Sequence, residues 1–235
     1  MCKNLPDSVK KLMKAYALSI KEYDGKYIHL FNGRKIEYLL CDIRSDEEIM
    51  ANPSIDDIFH YLYFKGEPVN TVHPTDAGRI RHDELLMKMY GMSPMEVWSN
   101  FVAIKWCPTL VNQTIYVTKI NDVHLQFLKV SEELDDYSDL ACFLRNSGVF
   151  NWRTIKGSNR LSPHSFGIAM DIAAEYSDYW LCNDVNHKDD ISISRPENKM
   201  PQIIVDVFEK HGFIWGGRWV HYDTMHFEYR PELLI

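Results

Sequence analysis

The chain has 235 residues, a length that fits one large domain or one domain with a substantial addition. With 46% hydrophobic, 13% aromatic and 25% charged residues it is not a disordered, collagen-like or membrane-spanning chain, and it can bury a real core. Its 33 acidic residues outnumber 26 basic ones, and the formal charge of −7 has the wrong sign for sequence-independent binding to a phosphate backbone.

Val9, Leu12, Met13, Tyr16, Ala17 and Ile20 recur at helical spacing behind Asp7 and Ser8, which predicts an amphipathic first helix. Residues 26–31 and 35–40 are short strand-like runs around Asn32-Gly33, the dipeptide that most strongly signals a hairpin. Asp56 to Phe64 reads as partly helical, and the turn-rich stretch 72–78 is the best candidate for a boundary. Asp83 caps a helix that Gly91 stops, and Ser93-Pro94 opens a second one toward Phe101.

From there the pattern changes to β-branched and aromatic runs, at Phe101 to Trp106 and Thr114 to Ile120, that read as strands. Asp122 to Leu134 carries Val123, Phe127, Val130 and Leu134 on one helical face, and Pro201 to His211 repeats the arrangement before Gly212. Strand-like segments follow at Gly148 to Ile155, Gly167 to Ala173, Phe213 to Trp215 and Thr224 to Tyr229. This order predicts an α+β fold with a mostly antiparallel sheet flanked by helices. Residues 1–100 read as a helical and hairpin region packing on a domain of residues 101–235.

No apolar stretch approaches the roughly 20 residues that span a bilayer, and the opening residues show no export signal. The five cysteines, Cys2, Cys41, Cys107, Cys142 and Cys182, are odd in number and form no C-x-x-C, so neither a disulfide framework nor a thiolate zinc site is indicated.

Chemistry concentrates in two places: Ser162-Pro163-His164-Ser165-Phe166-Gly167-Ile168-Ala169-Met170-Asp171 and, more than fifty residues on, His221-Tyr222-Asp223-Thr224-Met225-His226-Phe227-Glu228. Each places an imidazole near a carboxylate, a donor set that suits zinc. Spacing alone leaves two readings open. His164, Asp171, Asp223 and His226 build an open metal site in which a carboxylate beside the ion takes a proton from water, or they are partly buried histidines, a cap and a turn residue.

The pattern Ser-x-His-x-x-Gly-x-Ala-x-Asp followed by Asp-x-x-His-Phe-Glu resembles the D-alanyl-D-alanine carboxypeptidase family of zinc peptidases, which includes D-Ala-D-Ala dipeptidases and the L-alanyl-D-glutamate endopeptidases of phage endolysins. Residues 148–153 and Trp215-Gly216-Gly217-Arg218-Trp219 resemble two further elements of that family, so that the likeness covers about residues 100 to 230. It implies a hedgehog-like fold with one Zn²⁺ per chain held by His164, Asp171 and His226. It also implies that Asp223 is the general base activating the metal-bound water and that Arg153 polarises the scissile carbonyl.

Ser162 is then expected at the substrate or behind the ligands, on the same side of an extended segment as His164. Glu228, two residues after His226, is expected to orient that ligand or to bind as a fourth one. Trp152, Trp215 and Trp219 read as core, His221 as a rim histidine, and Arg145 and Arg160 as solvated surface charges. The residues from Trp180 to Asp190, with His187, Asp189 and Asp190, read as an irregular loop.

The resemblance implies hydrolysis of bonds involving D-amino acids in peptidoglycan stem peptides or muropeptides, in the periplasm or cell wall, with cytoplasmic recycling of stem peptides as the alternative location. The rival from another class is a non-catalytic, zinc-stabilised binding module of the same fold.

Overall fold

The computed structural model describes residues 5–39, 44–71, 73–172, 174–183 and 198–235. Helix α1 (Asp7–Ala15) leads into three antiparallel strands, β1 (Ile20–Tyr23), β2 (Tyr27–Leu30) and β3 (Lys35–Glu37), in the order β1-β2-β3. The hairpin predicted around Asn32-Gly33 joins β2 to β3, with Gly33 at φ 84. The first helix is shorter than its apolar periodicity. Ile20 is buried as expected, but it opens β1, because pairing with Leu30 satisfies its backbone while the side chain still reaches the core. Helix α2 (Asp46–Ala51), which hydrophobic periodicity did not signal, is set by a capping box between Ser45 and Glu48. The expected helical stretch at Asp56 contracts to one 3-10 turn, Asp56–Phe59.

Helices α3 (Asp83–Tyr90) and α4 (Pro94–Ser99) start and stop close to their predicted limits, except that His82, not Asp83, is the N-cap of α3. Strands β4 (Phe101–Trp106) and β5 (Gln113–Thr118) form a separate antiparallel pair. Helix α5 (Val123–Leu134) buries all four of its predicted core residues completely. A short helix α6 (Ala141–Leu144) precedes the expected strand at 148–155, which is absent. That stretch makes only isolated bridges, Gly148 to Asp171 and Thr154 to Leu161, because its peptide groups are taken by residues 162–165: Asn151 N donates to His164 O, and Arg153 N to Ser165 Oγ.

The last sheet has three strands, β6 (Ala169–Asp171), β7 (Phe213–Trp215) and β8 (His226–Tyr229), with β8 central and both neighbours antiparallel to it. Between β6 and β7 come α7 (Trp180–Asn183) and α8 (Gln202–Lys210). Thus the first residues of the expected 180–190 loop are helical, and His187, Asp189 and Asp190 lie outside the described residues, as do Cys2 and Cys41. The fold is α+β with small antiparallel sheets and helices. No helix among the described residues is long and apolar enough to cross a membrane.

Helix α8 packs on this sheet through Phe208, which stacks on Phe227 with ring centroids 4.0 Å apart, and α5 packs through Phe127, 4.6 Å from Phe213. Trp215 and Trp219 are core residues as expected. One cluster of buried side chains runs from Val9, Leu12 and Ile28 through to Phe213 and Phe227. Polar ties follow the same path. Tyr16 Oη donates to Glu232 Oε2 (2.6 Å), and Arg230 Nη1 and Nη2 donate to the carbonyls of Gly78 (2.8 Å) and Ile80 (3.2 Å).

Candidate metal centre

The three predicted ligands converge on the edge of the β6-β8 ladder. Asp171 and His226 are directly opposed residues of that ladder. His164 comes from a 3-10 turn, Pro163–Phe166, that Pro163 starts and that ends at Gly167, left-handed at φ 66. Only glycine fits there. A Cβ would sit 2.4 Å from the Phe101 ring, so the small residue lets the turn close against β4.

Asp171 Oδ1 lies 3.1 Å from His164 Nε2 and 3.0 Å from His226 Nδ1, and the two ring nitrogens are 3.2 Å apart. A tetrahedral Zn²⁺ with bonds of about 2.0–2.1 Å separates its donor atoms by roughly 3.3 Å, so this donor set fits such an ion in both chemistry and size. Among the described residues, these three form the group able to hold a metal.

Each imidazole is turned by a contact on its far side. His164 Nδ1 lies 2.7 Å from the Val149 carbonyl, which leaves Nε2 facing the centre. His226 presents Nδ1 to the centre, and its Nε2 faces Glu228 Oε2 at 3.6 Å. Glu228 therefore stands on the far side of the ring and is not one of the three residues whose atoms converge. It is fully buried, takes Arg81 Nε on both oxygens (2.9 and 3.0 Å) and lies 3.3 Å from Arg230 Nη1. Burial would raise its carboxyl, but Arg81 above all, with His226 and Arg230, brings it down to about 2.

Electrostatics at the centre follow the same logic. Burial opposes ionisation of Asp171, yet hydrogen bonds to His164 and His226 hold it well below the ordinary carboxylate range. Burial likewise opposes charge on His226, and the hydrogen bond to Asp171, with the Glu228 carboxylate close by, pushes it up to about 10.

Asp223 precedes β8 by three residues, beside Gly216, where a Cβ would meet the Asp223 carbonyl at 2.6 Å. Its Oδ1 is buried with no hydrogen-bond partner, and burial, reinforced by the Asp171 charge, pushes its carboxyl up to about 6. An isolated bridge pairs Asp223 with Tyr179. Arg153 is exposed, and its side chain makes no hydrogen bond or ion pair among the described residues. Its backbone is fixed: Ser165 Oγ accepts from Arg153 N (3.1 Å) and donates to Arg153 O (3.0 Å), and Ser162 N donates to the same carbonyl (2.9 Å).

Ser162 is buried, but it stands at the start of a 3-10 turn with no extended segment between it and His164, so strand alternation does not position it. Arg160, expected to be a solvated charge, ion-pairs Asp83 (2.9 Å) and donates to the Met50 and Arg81 carbonyls. Arg145 is exposed and pairs with Glu175, as a surface charge should. His221 sits against the buried Asp76, its Nδ1 2.6 Å from Oδ2, apart from the three-ligand group. Sequence reasoning missed Asp76, Ser165 and Arg81, since no local pattern relates Asp76 to His221 or Arg81 to Glu228, 145 and 147 positions away.

No curated protein and no solved structure gives a significant match to this chain. Residues 156–229 match the family model described as D-alanyl-D-alanine carboxypeptidase, a stretch that contains His164, Asp171, Asp223 and His226 and stops just short of Arg153. By that match the segment carrying His164, Asp171 and His226 is similar to the D-alanyl-D-alanine carboxypeptidase family.

Proposed function

We propose that this chain is a zinc-dependent peptidase that hydrolyses a peptide bond involving a D-amino acid in peptidoglycan stem peptides, as a D-Ala-D-Ala carboxypeptidase or an L-Ala-D-Glu-type endopeptidase. The observation that carries this reading is the convergence of His164 Nε2, Asp171 Oδ1 and His226 Nδ1 on one point. A buried carboxylate with an unpartnered oxygen, Asp223, accompanies them in the matched segment.

His164, Asp171 and His226 would hold one Zn²⁺, which supplies Lewis acidity toward a carbonyl and lowers the pKa of water to about 7. Asp223 is the general base: its raised carboxyl and open Oδ1 equip it to take a proton from the attacking water and return it to the leaving amine. Arg153, on a backbone pinned by Ser162 and Ser165, binds the oxygen of the scissile carbonyl and stabilises the charge that develops there. Ser162 supports that loop from behind, and Glu228 orients the His226 ring. In this reading residues 101–235 form the peptidase domain and residues 1–100 pack against it. A murein substrate places the protein in the periplasm or cell wall, or in the cytoplasm if it recycles stem peptides.

The test is metal content of the purified protein together with mass spectrometry of muropeptides before and after incubation, with and without chelator. About one zinc per chain and chelator-sensitive loss of D-Ala or of a stem fragment is the expected result. Zinc without cleavage would favour a metal-stabilised binding module, and a protein that takes up no zinc would overturn both readings.

A further inference from the structure

The ring of His226 has two sides, and the residue that faces the second is itself held from outside the matched segment. Its Nε2 is buried and has no partner within hydrogen-bond distance; the nearest acceptor it faces is Glu228 Oε2, at 3.6 Å. Glu228 is held by Arg81, a buried residue between Ile80 and the cap of α3, whose Nε reaches both carboxylate oxygens. Charges in this pocket are matched in pairs. Arg230 Nε is committed to Glu232, and only its Nη1 approaches Glu228, at 3.3 Å, so Arg81 is the principal counterion of Glu228. Arg81 is in turn fixed by its backbone, because Arg160 grips the Arg81 carbonyl and the Asp83 carboxylate together.

We propose that Arg81 is a positioning residue of the metal centre: by fixing the Glu228 carboxylate behind Nε2 of His226 it sets the angle of that ring, so that Nδ1 stays turned toward Asp171 and His164. This rests on the reading of His226 as a metal ligand. An imidazole that ligates through one nitrogen needs an acceptor at the other to fix its tautomer and ring angle. A buried carboxylate supplies one only while its own charge is compensated, and Arg81 provides that compensation. The consequence is that Arg81, which lies before the matched segment, contributes to metal affinity without belonging to the three-residue group that would hold the metal.

The experiment measures zinc affinity by competition with a chromophoric chelator for the wild type, Arg81→Gln, Arg81→Lys, Glu228→Gln and the double variant R81Q/E228Q, with the melting temperature of each chelator-treated protein alongside. Arg81→Gln is expected to weaken zinc binding about 10–100-fold, the usual cost of losing an outer partner of a ligand. Arg81→Lys should recover part of that loss. In the Glu228→Gln background the Arg81→Gln change should matter less than about twofold, since the carboxylate it serves is gone. A purely structural role would lower the melting temperature while leaving zinc affinity unchanged, and that result overturns the inference while leaving the peptidase reading in place. If Arg81→Gln does not fold, Arg81→Lys and Glu228→Gln decide: unchanged affinity in both overturns it. A wild-type protein that binds no zinc removes the ligand reading and this inference together.

Discussion

Asp171 and His226 are directly paired across the β6-β8 ladder, and their Oδ1 and Nδ1 atoms lie 3.0 Å apart. Two of the three proposed ligands, more than fifty positions apart in sequence, are thereby fixed by backbone hydrogen bonds, and only His164 depends on a turn. Asp171→Ala should therefore lose zinc by more than the roughly 10–100-fold of an outer-sphere change and lose hydrolysis with it, while circular dichroism stays that of the wild type. Retention of one zinc per chain in this variant would contradict the ligand assignment.

Asp223 and Arg153 act on the substrate side of the centre in the proposed reaction. Asp223→Ala should lower kcat by about 10²–10⁴-fold, and Arg153→Ala by about 10²–10³-fold. Zinc content should stay near that of the wild type in both, because neither side chain belongs to the three-ligand group. Full activity of Asp223→Ala on muropeptides would rule out the proposed base.

His82 caps α3 by accepting the Leu85 amide on Nδ1 at 3.1 Å, which a neutral ring can do and a doubly protonated one cannot. Burial lowers its pKa below the ordinary 6.5. A histidine with a depressed pKa contributes stability that is present above its unfolded value and disappears as pH falls through the interval down to its folded value. Thermal unfolding at pH 7.5, 6.5 and 5.5 should show His82→Asn, which keeps a capping side chain, losing less stability on acidification than the wild type. Parallel curves for the two proteins would refute this account of the cap.

Gly167→Ala should destabilise the fold by roughly 2–4 kcal/mol, combining a left-handed backbone at a non-glycine residue with overpacking against an aromatic ring. The ring is that of Phe101, 2.4 Å from the position of the new Cβ. Denaturant unfolding of Gly167→Ala with and without Phe101→Leu separates the two contributions: the second substitution should recover the overpacking share and leave the backbone share.

Local pattern alone determined much of this protein. The Asn32-Gly33 hairpin, the caps Ser93 and Gly91, the buried faces of α5 and α8, and the two motifs containing His164, Asp171, Asp223 and His226 are all short-range signals, because turn chemistry and helical spacing act within a few residues. What the sequence could not settle depended on where distant backbone groups find partners. Ile20 left its helix for a strand because β2 was there to pair with it. The 148–155 segment was kept from becoming a strand by Ser165 and His164, which occupy its peptide groups. Arg160 became a half-buried clasp once Asp83 lay beside it. Above all, the side of His226 that Glu228 takes, and the guanidinium of Arg81 behind it, were set by folding 147 residues of chain back on itself, since a buried charge takes whatever counterion the tertiary fold delivers and no spacing rule encodes that choice.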